Sequence, residues 1–141
     1  MRVMGLDVGS KTVGVACSDA LLLTAQGIET IARRKDEAVL HRILELIKEY
    51  EVHTIVVGLP KQMDGSMGVQ VDETKAFVAL LEEVTDLPIV YEDERLTTKM
   101  AMRTLQAAEV HGRKKKKVVI DKMAATYILQ SYLDRKSHGG I

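Results

Sequence analysis

The chain is poor in residues that lock small folds by covalent or metal chemistry. One of its 141 residues is cysteine, Cys17. No intrachain disulfide can form, and no cysteine set for structural zinc exists. The four histidines, His41, His53, His111 and His138, are scattered without ligand spacing and read as surface or packing residues. Aromatic residues are few: Phe77 and the tyrosines 50, 91, 127 and 132. No apolar run approaches the roughly 20 residues of a membrane-spanning helix. Asp7 arrives too early in the N-terminal stretch for a secretory signal. The expectation is a soluble, cytoplasmic protein without a membrane partner.

What is present suits a globular α/β chain. Apolar residues make up 46 %, which excludes a disordered chain and fills one core, so a single domain spanning 1–141 is expected. Twenty basic and twenty acidic side chains cancel, which excludes an indiscriminate polycation. The cancellation hides a split. Residues 1–98 carry 10 basic and 17 acidic side chains, whereas residues 99–141 carry 10 and 3. Such segregation marks either a face that meets a polyanion or a solvated C-terminal helix behind a basic loop.

Hydrophobic patterning gives the element order. Arg2 to Val8 reads as a strand, Gly9-Ser10-Lys11 as a turn and Val13 to Ser18 as a second strand. Gly27 to Ile31 reads as a third. Asp36 to Tyr50 is a helix, with Leu40, Ile43, Leu44 and Ile47 at helical spacing and two acids at its positive end. His53 to Gly58 is a buried, β-branched strand. Gln70 to Glu83 is a helix with Val71, Phe77, Val78 and Leu81 inward. Leu87 to Tyr91 is a strand, Thr97 to Ala108 a helix, Val110 to Lys117 a basic loop and Val118 to Leu133 the last helix, followed by a frayed tail. An opening meander followed by strand–helix alternation predicts a mixed sheet covered by helices.

Three acidic positions stand out. Asp7 lies in an otherwise apolar strand, where a carboxylate is costly unless paired or metal-bound; it could also simply begin the turn. Glu92-Asp93-Glu94 crowd a strand end, where Arg95 offsets part of the charge and a cation would offset more; a solvated strand end is the alternative. Asp121 opens the last helix, where the helix dipole alone would accept it. Ala124 and Ala125, however, would let that helix approach the sheet closely. Acids from three elements could therefore converge on one point. Carboxylates are natural ligands of Mg²⁺ or Mn²⁺, and two such ions about 4 Å apart support phosphodiester cleavage. The stretch Arg113, Lys114, Lys115, Lys116 and Lys117 would hold phosphates beside them.

Five motifs in order carry a family resemblance over essentially the whole length. They are Gly5-Leu6-Asp7-Val8-Gly9-Ser10-Lys11 with Gly14-Val15-Ala16-Cys17-Ser18-Asp19, then Val56-Val57-Gly58-Leu59-Pro60, Met63-Asp64-Gly65-Ser66, Asp93-Glu94-Arg95-Leu96-Thr97-Thr98, and Asp121-Lys122-Met123-Ala124-Ala125 with Ile128-Leu129-Gln130. The chain resembles the YqgF family, described both as Holliday junction resolvases and as pre-16S rRNA nucleases. The resemblance implies an RNase H-like α/β fold: a five-stranded mixed sheet flanked by helices. It implies a metal-dependent hydrolase that cuts structured RNA, at the 5′ end of the small-subunit rRNA precursor, or branched DNA. Asp7 and Asp121 would be catalytic metal ligands for two Mg²⁺ or Mn²⁺ ions. In related resolvases the middle acid ends the strand that here reads Ile55 to Pro60, and this sequence has no acid there. Glu94, or else Asp93, must substitute from the neighbouring strand. Departures elsewhere are Ser10, where threonine is commoner, and Gln26-Gly27, where a proline is expected.

Beyond the acids, Gly9 would let backbone approach a phosphate, and Ser10 and Lys11 would contact it from the same turn. Arg95 would stabilise charge on the cleaved phosphate or merely pair with Glu92 or Glu94. Thr97 and Thr98 suit helix caps, and residues 61–68 a lid. With so few aromatics, recognition should rest on backbone shape and phosphate contacts rather than base stacking. Ribosomal precursor particles are the expected partners, with the protein a monomer or, for paired cuts across a two-fold junction, a homodimer. One competing reading keeps the fold without catalysis, as a nucleic-acid or ribosome-binding factor. Another is phosphotransfer, since Asp7 to Thr12 resembles the phosphate loop of the sugar-kinase and actin group; those proteins need two domains to enclose ATP.

Overall fold

In a computed structural model, described here for residues 1–59, 69–93 and 113–139, the opening strands form as their β-branched pattern dictates. Strands β1 (Arg2–Val8), β2 (Thr12–Ser18) and β3 (Ala25–Ala32) make an antiparallel meander. Helix α1 (Asp36–Tyr50) then carries the chain back to β4 (Val52–Leu59), parallel to β1, and α2 (Val69–Val84) carries it to β5 (Ile89–Asp93), parallel to β4. Helix α3 (Arg113–Gly139) closes the described order. The sheet runs β3-β2-β1-β4-β5, a five-stranded mixed sheet with helices on both faces.

Several boundaries differ from the sequence reading for physical reasons. The strand expected at Leu87–Tyr91 sits two residues later. Pro88 has no N–H to give the ladder, although its carbonyl accepts the Ile55 N–H at 2.9 Å. The ladder runs from Ile55 opposite Ile89 to Leu59 opposite Asp93, so Glu92 and Asp93 lie inside the strand. Residues 113–117, expected in a loop, form the start of α3; lysine and arginine are good helix formers. The tail expected to fray is helical as far as Gly139. On α1 the buried stripe is Val39, Leu40, Ile43 and Leu46, with Ile47 beside it and Leu44 only half-buried. On α2 the inward residues are those expected, plus Thr74. The helix expected at 97–108 and the lid expected at 61–68 lie outside the described residues.

Strand alternation divides the interior into two cores. Met4, Leu6 and Val8 of β1 pack with Val13 and Val15 of β2, Ile55 and Val57 of β4, and the apolar stripes of α1 and α2. On the opposite face Val3, Ala16 and Val56 pack with Ala125, Ile128, Leu129 and Tyr132 of α3. Tyr132 thus serves the packing of α3 on the sheet. Gly5 belongs to this second face. A Cβ added there would lie 2.8 Å from Leu129 Cβ and 3.1 Å from the Ala125 carbonyl oxygen. Only glycine allows this strand–helix approach. Gln130 fixes the helix laterally: its Oε1 accepts the Ala25 N–H at 2.9 Å, and its Nε2 donates to the Leu23 carbonyl at 3.0 Å.

At the sheet edge Arg42 of α1 grips Glu29 of β3 through two parallel hydrogen bonds, of 3.0 and 2.7 Å. Those bonds to Arg42 hold the Glu29 carboxyl below its usual value of 4.5.

Two outcomes follow from these contacts. Gly5→Ala forces β1 and α3 apart and should lower unfolding free energy by about 1–3 kcal/mol, measured by urea denaturation. Because the Glu29 pKa is depressed on folding, its pairing stabilises the fold above the unfolded value and fades as pH falls through the folded one. Glu29→Gln should therefore cost up to about 1 kcal/mol at neutral pH, and the difference from wild type should shrink as pH falls through the folded-state value.

Candidate active site

Asp7 follows Gly5 by two residues, so the alternation of β1 sets it on the α3 face near the strand's C-terminal end. Its nearest positions on that face are both glycine. On β2 it pairs directly with Gly14. On β4, Leu6 pairs with Val57, so the next position, Gly58, stands level with Asp7. No neighbouring strand therefore sends a side chain into the space beside Asp7 on this face. Without a Cβ, Gly14 and Gly58 leave a floor of bare backbone with the carboxylate between them.

Helix α3 runs along the same face of the sheet. Val3 lines a surface pocket with Tyr132 and Leu133, and Gly5 abuts Leu129 and Ala125, so α3 runs antiparallel to β1. From the Gly5 contact, Asp7 lies about 6.6 Å further along the strand. Position 121 lies four residues before Ala125, about 6 Å further along the helix in the same direction. The basic run 113–117 occupies the helical turns before it, beyond the end of β1.

On β5, Glu92 pairs with Gly58 and completes the rung. It is 6 % exposed, and Arg135 Nη2 of α3 lies 3.0 Å from its Oε2, an ion-pair distance without hydrogen-bond alignment. Burial pushes the Glu92 pKa up, against the Arg135 charge and the Asp93 N–H, which pull it down. The sequence alone assigns this acid's charge to Arg95 or a cation; in the structure Arg135, 43 residues away, takes it. The helical spacing of Ile128, Tyr132 and Arg135 was the available signal. Asp93, next along β5, falls by alternation on the opposite face with Tyr91, which packs in the α1–α2 core. Glu94 and Arg95 lie outside the described residues, and of the side chains of Asp121 and residues 113–117 nothing is described. Among the described residues no three metal-ligating side chains cluster.

The turn after β1 is tight. The Gly9 N–H donates to the Thr12 carbonyl at 2.8 Å, and a Cβ on Gly9 would meet that same oxygen at 3.0 Å. Ser10 and Lys11 are exposed at its tip. Since the Gly9 amide is engaged, a phosphate here would meet Ser10 and Lys11. Asp7 itself offers hard carboxylate oxygens, which fit Mg²⁺ or Mn²⁺ and not a thiolate-bound metal; Cys17 is buried, and burial holds its thiol up at about 12.

The chain is similar to known proteins over nearly its whole length. The family model described as "RuvX: Holliday junction resolvase" matches residues 1–135. A protein of Geobacillus sp. (strain WCH70), named "Putative pre-16S rRNA nuclease", is 56 % identical over 138 residues, covering 96 % of this chain and 99 % of its own. A Moorella thermoacetica protein of the same name is 50 % identical over 141 residues, all of both chains. Among solved structures, Thermus thermophilus RuvC bound to a Holliday junction substrate superposes with a TM-score of 0.60 at 15 % identity, covering 97 % of this chain and 96 % of that one. The Fowlpox virus resolvase with its junction DNA gives 0.54 at 13 %, covering 95 % and 97 %. These two show a shared RNase H-like fold. With the near full-length match and relatives at half or more of the residues, this chain belongs to the RuvX family, the one also called YqgF.

Proposed function

We infer that this protein is a divalent-metal-dependent nuclease, a single domain over 1–141 acting in the cytoplasm on structured RNA, with 5′-end processing of pre-16S rRNA as its reaction. The observation that carries this reading is the position of Asp7: a strand carboxylate on a floor of glycine backbone, at the end of β1 toward which α3 extends from its contact at Gly5. The names of the full-length relatives support the choice of rRNA precursor. The family description favours branched DNA as the second substrate to test.

In this reading Asp7 and Asp121, with Glu94 just after β5, hold two Mg²⁺ or Mn²⁺ ions; Asp93, on the opposite face of the sheet with Tyr91, is not among them. Bound there, the ions would activate water and steady the leaving oxygen. The remaining residues bind and orient. Ser10 and Lys11 contact the phosphate at the β1–β2 turn, Gly9 keeps that turn low enough for a strand to approach, and Arg95 meets charge on the scissile phosphate. Arg113 and the lysines 114–117 extend the cationic track along the first turns of α3. Glu92 keeps its charge matched by Arg135, so it adds little negative field along the phosphate path.

The test is cleavage of a pre-16S 5′-end RNA and of a four-way DNA junction, with Mg²⁺ or Mn²⁺. Asp7→Asn removes charge stabilisation worth several kcal/mol, so cleavage should fall on the order of 10²–10⁴-fold while RNA binding persists. Replacing Lys114 to Lys117 by glutamine should weaken binding and flatten its salt dependence, by a log–log slope of roughly 0.7–0.9 for each phosphate no longer neutralised. Full cleavage by Asp7→Asn would overturn the site. A wild type that binds but never cuts would favour a non-catalytic binding factor.

A further inference from the structure

Arg33 is the first residue after β3, and nothing in the chemistry above uses it. Yet it is tied to three elements at once. Its backbone N–H donates to the Lys11 carbonyl at 2.8 Å. Its Nη1 donates to the Gly9 carbonyl at 2.8 Å. Its Nε donates to Asp36 Oδ1, in the first turn of α1, at 2.9 Å. The guanidinium carbon lies 5.2 Å from the ring centroid of Phe77 on α2, itself buried. The Arg33 side chain is only 15 % exposed, so these contacts are held in a largely dry setting where they are stronger than at the surface.

This bracing bears directly on the β1–β2 turn. A three-residue turn with a glycine would ordinarily sample several geometries. Here the carbonyls on both sides of Ser10 accept hydrogen bonds from one residue. That residue is anchored in turn by a carboxylate on α1 and an aromatic face on α2. Arginine can do this because its planar fork presents donors in fixed, divergent directions while its face stacks on a ring. Lysine, a point charge on a flexible stem, could satisfy one of these partners but not all.

We propose that Arg33 is a positioning residue for phosphate recognition. It holds the Gly9–Lys11 turn in one conformation so that Ser10 and Lys11 are pre-set toward a nucleic-acid backbone, and it references that turn to α1 and α2. The assignment of Ser10 and Lys11 as phosphate contacts rests on the nuclease reading; the bracing of the turn does not. A pre-set turn reduces the ordering cost of binding, so the effect belongs in affinity and KM rather than in turnover at saturation.

The experiment uses the full chain with Arg33→Gln, Arg33→Lys and Lys11→Gln, singly and with Arg33→Gln and Lys11→Gln combined. Amide exchange of Gly9 reads the bracing directly. It should accelerate about 10-fold in Arg33→Gln, where the charged hydrogen bond to the turn is gone, while Val13 and Val15 in the core keep wild-type exchange. Arg33→Lys should fall between the two. Affinity for the pre-16S 5′-end RNA, measured in EDTA so that no cleavage intervenes, should weaken in Arg33→Gln by about as much as in Lys11→Gln. The double variant should bind little more weakly than either single one, because both act through one contact. Where wild type cleaves, KM should rise and kcat hold. Unchanged Gly9 exchange, additive effects in the double variant, or a change confined to kcat overturns the proposal. A wild type that binds without cutting, with the double-variant result intact, supports the proposal and counts against the nuclease reading alone.

Discussion

At Gly5 the backbone of β1 and the helix α3 touch where any side chain would hold them apart, since an added Cβ would sit 2.8 Å from Leu129 Cβ. That contact sets the depth and register of α3 on the sheet. With Leu129 and Ala125 against Gly5, the residues on either side along both elements follow. Toward one end come Val3, Tyr132 and Leu133. Toward the other come Asp7 and the turn bearing position 121. Gln130, bonded to Ala25 and to the Leu23 carbonyl, prevents the helix from sliding along that contact. The placement of Asp7 relative to position 121 thus follows from the packing at Gly5, and neither carboxylate is needed to create it.

The same economy governs charge. The chain is neutral overall, but the fold sorts its charges by location. Glu92, the acid that β5 buries on the α3 face, is matched by Arg135, while the run of five cations occupies the start of α3, beyond the end of β1. Burying Glu92 without that guanidinium would leave an uncompensated charge in the interior. Asp7, on β1, stands level with glycine on the strand to either side. Arg33 does comparable work on the other side of the turn, where one guanidinium holds a carbonyl, a carboxylate and a ring together.

Much of the fold was legible because its signals are local. The helical spacing over Asp36–Tyr50 marks the observed bounds of α1, and a meander followed by strand–helix alternation could give little other than a mixed sheet. Errors arose where a local signal had two meanings. The apolar residues Leu87 and Pro88 suggested a strand, but the ladder needed N–H donors and began at Ile89, carrying two acids into the sheet. Five consecutive cations suggested a loop, although each residue is a good helix former. The candidate site was legible only as a set of acids. That Gly14 and Gly58 flank Asp7, and that Arg135 claims Glu92, depends on register between residues far apart in sequence, which no spacing within a segment encodes. Arg33 carried no sequence signal, since its partners lie on a turn and two helices.

The central claim is that the C-terminal end of β1 and the turn of α3 around position 121 form one cation site. Titrating the ¹⁵N-labelled protein with Mn²⁺ and following paramagnetic loss of backbone amide signals tests this most directly. The account predicts that Leu6, Asp7, Val8 and residues 121–124 fade first and together, while Leu22 and Leu23, about 20 Å away at the opposite end of the sheet, persist. Loss that spares the end of β1, or that begins at Leu22 and Leu23, would contradict it.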